Sequence, residues 1–280
     1  MDILLLRTFI SVTLTGSFSA ASKDLHCVQS NVTARIRRLE EHLGQVVFER
    51  GRGGARLTRF GKRLRVHAED LLARFDAAEK DLLDAAGRSA PLIVGTMETT
   101  AAVRLPPILK KLKLQCPTAP ISLRTGPTSE LFSLLWGRDV DVAFAAGPYD
   151  KNRFRGIHAF TEYLTVATHP SGSGTSSLLA FRSGCSYRTL AETWLRSEGR
   201  SDTEVLEMGS LDSILGCVEA GMGFAVVPES VIKTYRGADA LTTRRLPAPF
   251  ANMGTDLIWR HDHRPTLAHQ ALYDLIAVGA

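Results

Sequence analysis

Cysteine is sparse in this 280-residue chain: Cys27, Cys116, Cys185 and Cys217 stand far apart, without a CxxC pair. Such spacing supports no disulfide framework, points to reduced thiols and argues against a zinc site. Nowhere do about 20 apolar residues follow one another, the length that spans a bilayer, so no membrane partner is expected. The apolar run Ile3 to Leu14 is preceded by Asp2, interrupted by Arg7 and followed by no small-residue cleavage pattern. It reads as a buried first helix with Leu5, Phe9 and Val12 inward, and a cytoplasmic protein is expected. No nucleophile and base pair and no metal set stands out, so an enzyme is not expected. His261-Asp262-His263 invites a metal reading, yet a polar turn before the last helix accounts for it better.

Hydrophobic residues make up 44% and charged residues 22%, an ordinary globular composition in a chain long enough for two or more domains. Its charge is unevenly placed. Residues 1–60 hold nine Lys/Arg against five Asp/Glu, residues 61–90 six against six, and residues 91–280 nineteen against eighteen, so nearly all of the net +5 sits on the first sixty. A basic segment on a neutral body implies one polyanion-binding module.

That segment has a readable layout. Ser19 to Leu25 forms a short helix with a Ser N-cap, His26-Cys27-Val28 a tight turn, and Gln29 to His42 a helix whose Val32, Ile36, Leu39 and Leu43 share one face. Leu43-Gly44 closes it, Gln45 to Arg50 reads as a short strand, and Gly51 to Thr58 turns back. Two short helices followed by an Arg-rich hairpin make a winged helix-turn-helix, and its partner is double-stranded DNA. Gln29, Ser30, Asn31, Thr33 and Arg35 are the candidates for base edges, because Gln and Asn pair bidentately with adenine and Arg with guanine. Arg37 and Arg38 suit phosphates, although a salt bridge within its own helix stays open for Arg38. Arg50, Arg52 and Arg56 on the wing reach phosphates or an adjacent minor groove.

From Thr58, a plausible N-cap, about thirty residues run to Gly87 without Pro or interior Gly. Leu64, Ala68, Leu71, Phe75, Ala78, Leu82 and Ala85 alternate by four and three, a heptad seam for a homodimer, with packing on its own domain as the alternative. Beyond it, strands Leu92–Thr96, Ala119–Thr125 and Asp139–Ala145 alternate with helices after Thr99 and Thr128, the pattern of a doubly wound α/β lobe. A second such unit starts near Glu162, and a final strand Asp256–Arg260 and helix Leu267–Val278 return to the first. In such sheets ligands sit beyond the carboxyl ends of the strands, where Thr99, Thr100, Gly126, Thr128 and Gly147 fall. Paired Thr hydroxyls and a helix N-terminus favour an anion such as a carboxylate, with Arg182 in reserve. Cys185 at the same cleft is either a redox sensor or a buried inert thiol, the latter being commoner.

The run Leu6-Arg7-Thr8-Phe9, Thr15 to Ala21, Leu25-His26, Gln29-Ser30, Val32, Ile36 to Gly44, Phe48-Glu49-Arg50, Leu57-Thr58 and Gly61 closely resembles the DNA-binding domain of LysR-type bacterial transcriptional regulators. The resemblance implies a winged helix-turn-helix domain over 1–58, a dimerising linker helix over 59–89, and an effector domain over 90–280 shaped like type 2 periplasmic binding proteins. One lobe would take about 90–161 and 247–280, the other about 162–246. It further implies a tetramer built as a dimer of dimers, a small-molecule effector in the cleft and no cofactor; RNA polymerase stays open as a partner. Gly95 to Ala102, Gly184 to Tyr187, and Gly209 to Asp212 with Ser210 and Leu211 look like the effector-contacting loops of that family. The competing reading is a solute-binding protein without DNA function, which would need a signal peptide and would have no use for a basic helix. Two departures stand out. Val28 replaces a Ser frequent before the recognition helix, leaving Ser30 as an alternative start, and the short stretch between His169 and Leu178 implies a cleft more open on that side.

Overall fold

The computed structural model describes residues 1–51, 54–86, 90–172 and 176–279, with only the backbone of Arg50, Gly51 and Asp84. The chain divides into two compact units, Met1–Leu82 and Leu83–Ala280.

The first unit contains α1 (Ile3–Thr15), α2 (Phe18–Asp24), α3 (Gln29–Leu43), an antiparallel hairpin of β1 (Phe48–Gly51) and β2 (Gly54–Leu57), and α4 (Arg59–Ala85). Leu5, Phe9 and Val12 of α1 are buried as the spacing requires, packed with Val32, Ile36 and Leu39 of α3. Each such side chain contributes about 1.5–3 kcal/mol. Phe48 ties the hairpin into this core, its ring 5.3 Å from Phe9 and 5.7 Å from Phe18. The cap of α2 is Ser17, whose hydroxyl accepts the Ala20 N–H, and not Ser19; the helix therefore begins one residue earlier, at Phe18. Val28 supplies no side-chain cap, yet α3 still begins at Gln29, so Ser30 is inside the first turn and does not start the helix. Gly44 closes α3 at φ 64°, a left-handed C-cap. The first wing strand starts at Phe48, later than Gln45, because the Val47 N–H is taken by the Glu40 carboxylate at 2.8 Å.

Thr58 caps α4 by accepting the Gly61 N–H at 2.9 Å. The expected seam is divided. Leu64 and Ala68, joined by Leu72, pack into the core of the first unit, whereas Leu71, Phe75 and Leu82 are 42%, 38% and 69% exposed.

The second unit is built on β3 (Leu92–Thr96), β4 (Ile121–Thr125), β5 (Val142–Ala146), β6 (Phe154–Thr168), β7 (Ser177–Phe181), β8 (Glu204–Met208), β9 (Ala225–Pro228), β10 (Thr242–Arg245) and β11 (Asn252–Arg260). Its helices are α5 (Glu98–Val103), α6 (Leu105–Gln115), α7 (Thr128–Gly137), α8 (Ser186–Ser197), α9 (Leu211–Glu219), α10 (Glu229–Ile232) and α11 (Leu267–Gly279). In the first lobe β3 lies parallel to β4 and β5, with α6 and α11 packed on one face and α7 on the other. In the second, β7 lies parallel to β8 between α8 and α9. The sheets are mixed, not wholly parallel, because β11 and β6 pair antiparallel. Two elements escaped the sequence reading. Strand β10 is one, and the first half of β6 is the other: the ladder shifts register opposite Thr255/Asp256, leaving Ala159 as an extra residue that breaks the two-residue alternation. The second lobe accordingly does not begin with a new strand at Glu162; one fifteen-residue strand runs through that point and serves both lobes.

Candidate nucleic-acid interface and ligand cleft

On α3 the apolar stripe faces inward, and helical spacing turns the rest of the surface outward. Gln29, Ser30, Asn31, Arg37 and Arg38 are exposed; Thr33 and Arg35 are half-buried at the flanks of the stripe. Among the described residues none of Arg35, Arg37, Arg38 and Arg56 enters an ion pair, so the intrahelical bridge open to Arg38 does not form. Arg56 is exposed on β2. Arg52 lies outside the described residues, as does the side chain of Arg50. Unpaired guanidinium groups around one helix face present donors and positive charge without an internal acid to satisfy them. The wing is held close: Ala55 N–H donates to the Gly16 carbonyl at 2.8 Å, and a Cβ on Gly54 would stand 2.6 Å from that same oxygen.

Between the lobes of the second unit lies a cavity of about 350 Å³. Of the residues expected there, Thr99, Gly126, Thr128, Arg182 and Cys185 line it. Thr100 does not; it is buried, its carbonyl accepting the Arg104 N–H. Gly147 is absent from the lining too, standing at the end of β5 beside Tyr149. Ser210 is spent on a reciprocal capping box with Ser213, and Leu211 packs on the core beneath, so neighbouring Met208 and Gly209 reach the cavity instead. Phe181, Glu207 and Met208, at the carboxyl ends of β7 and β8, were missed, although the strand-end rule that located Thr99 applies to them equally.

The cavity carries a consistent electrostatic character. Helices α7 and α8 both start beside it, at Thr128 and Ser186, so the positive ends of their dipoles point toward it, although the Ser129 N–H is taken by the Gly184 carbonyl and the Tyr187 and Arg188 N–H groups lie against the Cys185 thiol. The hydroxyls of Thr99 and Tyr187, each residue only 4% exposed, lie against each other without forming a well-aligned hydrogen bond and have no other partner. Burial pushes the Tyr187 hydroxyl far above its ordinary value, so it stays protonated and remains a donor. Cys185 is buried as well. Desolvation raises its thiol, outweighing the backbone hydrogen bonds from Arg188 and Tyr187 and the Arg188 charge that act in the other direction.

The lobes touch across this cavity. Ser186 Oγ donates to Thr128 Oγ1 at 2.8 Å, the Ser129 N–H reaches the Gly184 carbonyl at 3.4 Å, and Arg182 pairs with Glu130. At the hinge, Glu162 is buried on β6. Arg104 donates to both of its oxygens, at 2.6 and 3.0 Å, and Ser230 adds a third bond at 2.8 Å.

Comparison with known proteins places both units. The bacterial regulatory helix-turn-helix protein, lysR family, matches residues 3–62, and the LysR substrate binding domain matches residues 85–279. The HTH-type transcriptional regulator YusT of Bacillus subtilis (strain 168) is 35% identical over 262 residues, covering 92% of this chain and 89% of its own. Among solved structures, a full-length OxyR variant from Pseudomonas aeruginosa aligns with a TM-score of 0.67 at 22% identity, over 100% of this chain and 99% of that one. Full-length CbnR in complex with its target DNA aligns with a TM-score of 0.60 at 22% identity, over 100% of both chains. These matches set aside the reading as a solute-binding protein. The chain belongs to the LysR family and is a DNA-binding transcriptional regulator with an effector-binding domain.

Proposed function

We propose that this regulator acts in the cytoplasm as a dimer on duplex DNA and is switched by a small carboxylate held between the lobes of its effector domain. The working division is 1–58 for the DNA-binding domain, 59–89 for the linker and 90–280 for the effector domain. Gln29, Ser30, Asn31, Thr33 and Arg35 meet base edges; Arg37, Arg38, Arg50, Arg52 and Arg56 meet phosphates or the minor groove. The exposed arginines of α3 without internal acidic partners support the first assignment.

For the effector, the carrying observation is the convergence of the positive ends of two helices with the partnerless hydroxyls of Thr99 and Tyr187 on one cavity. A carboxylate accepts from the Thr128 N–H and from both hydroxyls, within the field of the two helix dipoles. Arg182 already holds a carboxylate, that of Glu130, so an incoming acid competes for a ready partner. An effector that bridges both lobes binds the closed arrangement better than an open one and shifts the population accordingly.

The test is binding of the full-length protein to the DNA upstream of its own gene, read by fluorescence anisotropy with and without a panel of small carboxylic acids. A dimer neutralising ~6 to 10 phosphates loses about 10³ to 10⁵ in affinity between 50 and 200 mM salt. A flat salt response overturns the DNA assignment; a panel in which only cations or uncharged apolar molecules act overturns the carboxylate.

A further inference from the structure

The His261-Asp262-His263 run separates in three dimensions. Asp262 is claimed by Arg138 at 2.8 Å and by Arg260 at 2.8 and 3.0 Å, and His261 lies 3.0 Å from Arg155. His263 alone turns inward, its ring 4.5 Å from that of His269 at 58°. There it meets Asp141, which precedes β5. One ligand atom from each of Asp141, His263 and His269 lies within 4.8 Å of the other two.

His269 is fully buried in the first turn of α11. Its Nε2 has no hydrogen-bond partner and stands 3.7 Å from Asp141 Oδ2, too far for a hydrogen bond. A buried imidazole nitrogen left alone calls for a physical account, and an ion supplies one. In a tetrahedral site with bonds of about 2.0–2.1 Å, neighbouring ligand atoms are about 3.3–3.5 Å apart, so the 3.7 Å pair is nearly in place. The supporting contacts are present as well. Asp141 Oδ2 accepts the Ile93 N–H at 2.9 Å, which fixes the carboxylate. Thr266 Oγ1 lies 2.6 Å from His269 Nδ1 and can accept its proton, the outer contact that orients a ligating ring. Without a metal, Nδ1 instead accepts the Thr266 N–H at 3.2 Å, and the proton moves to the partnerless Nε2.

We propose that Asp141, His263 and His269 bind a divalent transition metal of the zinc type, which fastens the loop before α11 to the start of β5. Two imidazoles and one carboxylate suit a borderline ion. Among the described residues no fourth His, Cys, Asp or Glu joins the group, which leaves one coordination position to water. Sparse cysteine argued against zinc, but only against a thiolate site; this one assembles from residues more than a hundred positions apart. It sits at the amino end of β5, whereas the effector cavity lies beyond the carboxyl ends of β3 and β4, which run parallel to it in the same sheet. The two assignments therefore fail independently.

Full-length protein stripped with a chelator is titrated with Zn²⁺ alone by calorimetry, and with Co²⁺ for its ligand-field spectrum. One equivalent should bind per chain and raise Tm. His263→Ala and Asp141→Asn, checked for native circular dichroism, should each weaken Zn²⁺ at least tenfold and abolish the Tm rise, while His261→Ala binds as the parent does. No binding at one equivalent overturns the proposal, and so does binding that His263→Ala leaves unchanged.

Discussion

Glu162 is a buried carboxylate bonded through both oxygens, and it gathers Arg104, from the α5–α6 junction, and Ser230 of α10 onto the strand shared by the two lobes. Removing one member of such a set strands the others in a low-dielectric interior. Glu162→Ala should cost about 2–3 kcal/mol, less than for a fully buried pair because Arg104 is partly screened by solvent. Urea denaturation measures it, and a loss below about 0.5 kcal/mol would show that the bonds are replaced by water. Cys185 illustrates the opposite case of a residue that looks reactive by position. Burial holds its thiol above the ordinary range, and only the thiolate is a nucleophile. At pH 7 it should react with a thiol reagent far more slowly than a free thiol, gaining rate only as pH rises beyond that range, and Cys185→Ser should leave any peroxide response unchanged. Fast modification of Cys185 at pH 7, read by mass spectrometry, would restore the sensor reading.

At the scale of elements, α4 does two jobs with one repeat. Its first turns close the core of the first unit through Leu64, Ala68 and Leu72, and the later positions Leu71, Phe75 and Leu82 remain in water. Exposed apolar residues spaced by four and seven positions fit a coiled-coil seam with a second copy. At about 40 Å the helix also suits the ~34 Å separation of successive major grooves. Phe75→Glu with Leu82→Glu should leave the monomer folded, since neither side chain is in the core, and should turn dimers into monomers in analytical ultracentrifugation with at least tenfold weaker DNA binding. A double variant that still sediments as the parent oligomer refutes the seam. Strand β6 shows how an element hides. An inserted residue at Ala159 shifts inward and outward positions past each other, so no two-residue period survives for a reader to find.

For the whole molecule, the contact that matters is closure of the effector lobes. Gly184 has φ 89°, and a Cβ there would stand 2.1 Å from Ser129 Oγ on the facing lobe. Gly184→Ala should therefore both strain the backbone and hold the lobes apart, weakening carboxylate binding at least tenfold and enlarging the radius of gyration in X-ray scattering. Unchanged affinity and unchanged scattering would mean that closure does not pass through this contact.

Local pattern alone was enough to recognise the DNA-binding half, because α2, α3 and the wing are contiguous and their caps, glycines and apolar stripe act within a few residues. The same locality made Thr99 and Thr128 readable as strand-end and helix-start positions, whereas Cys185 came from the resemblance of its loop. Tertiary structure decided the rest: that Ser210 is consumed by its own helix, that Tyr187 faces Thr99, that Glu162 locks the hinge, and that His263 meets Asp141 and His269. These depend on sheet register and on which lobe faces which, quantities set by long-range packing that no local spacing encodes.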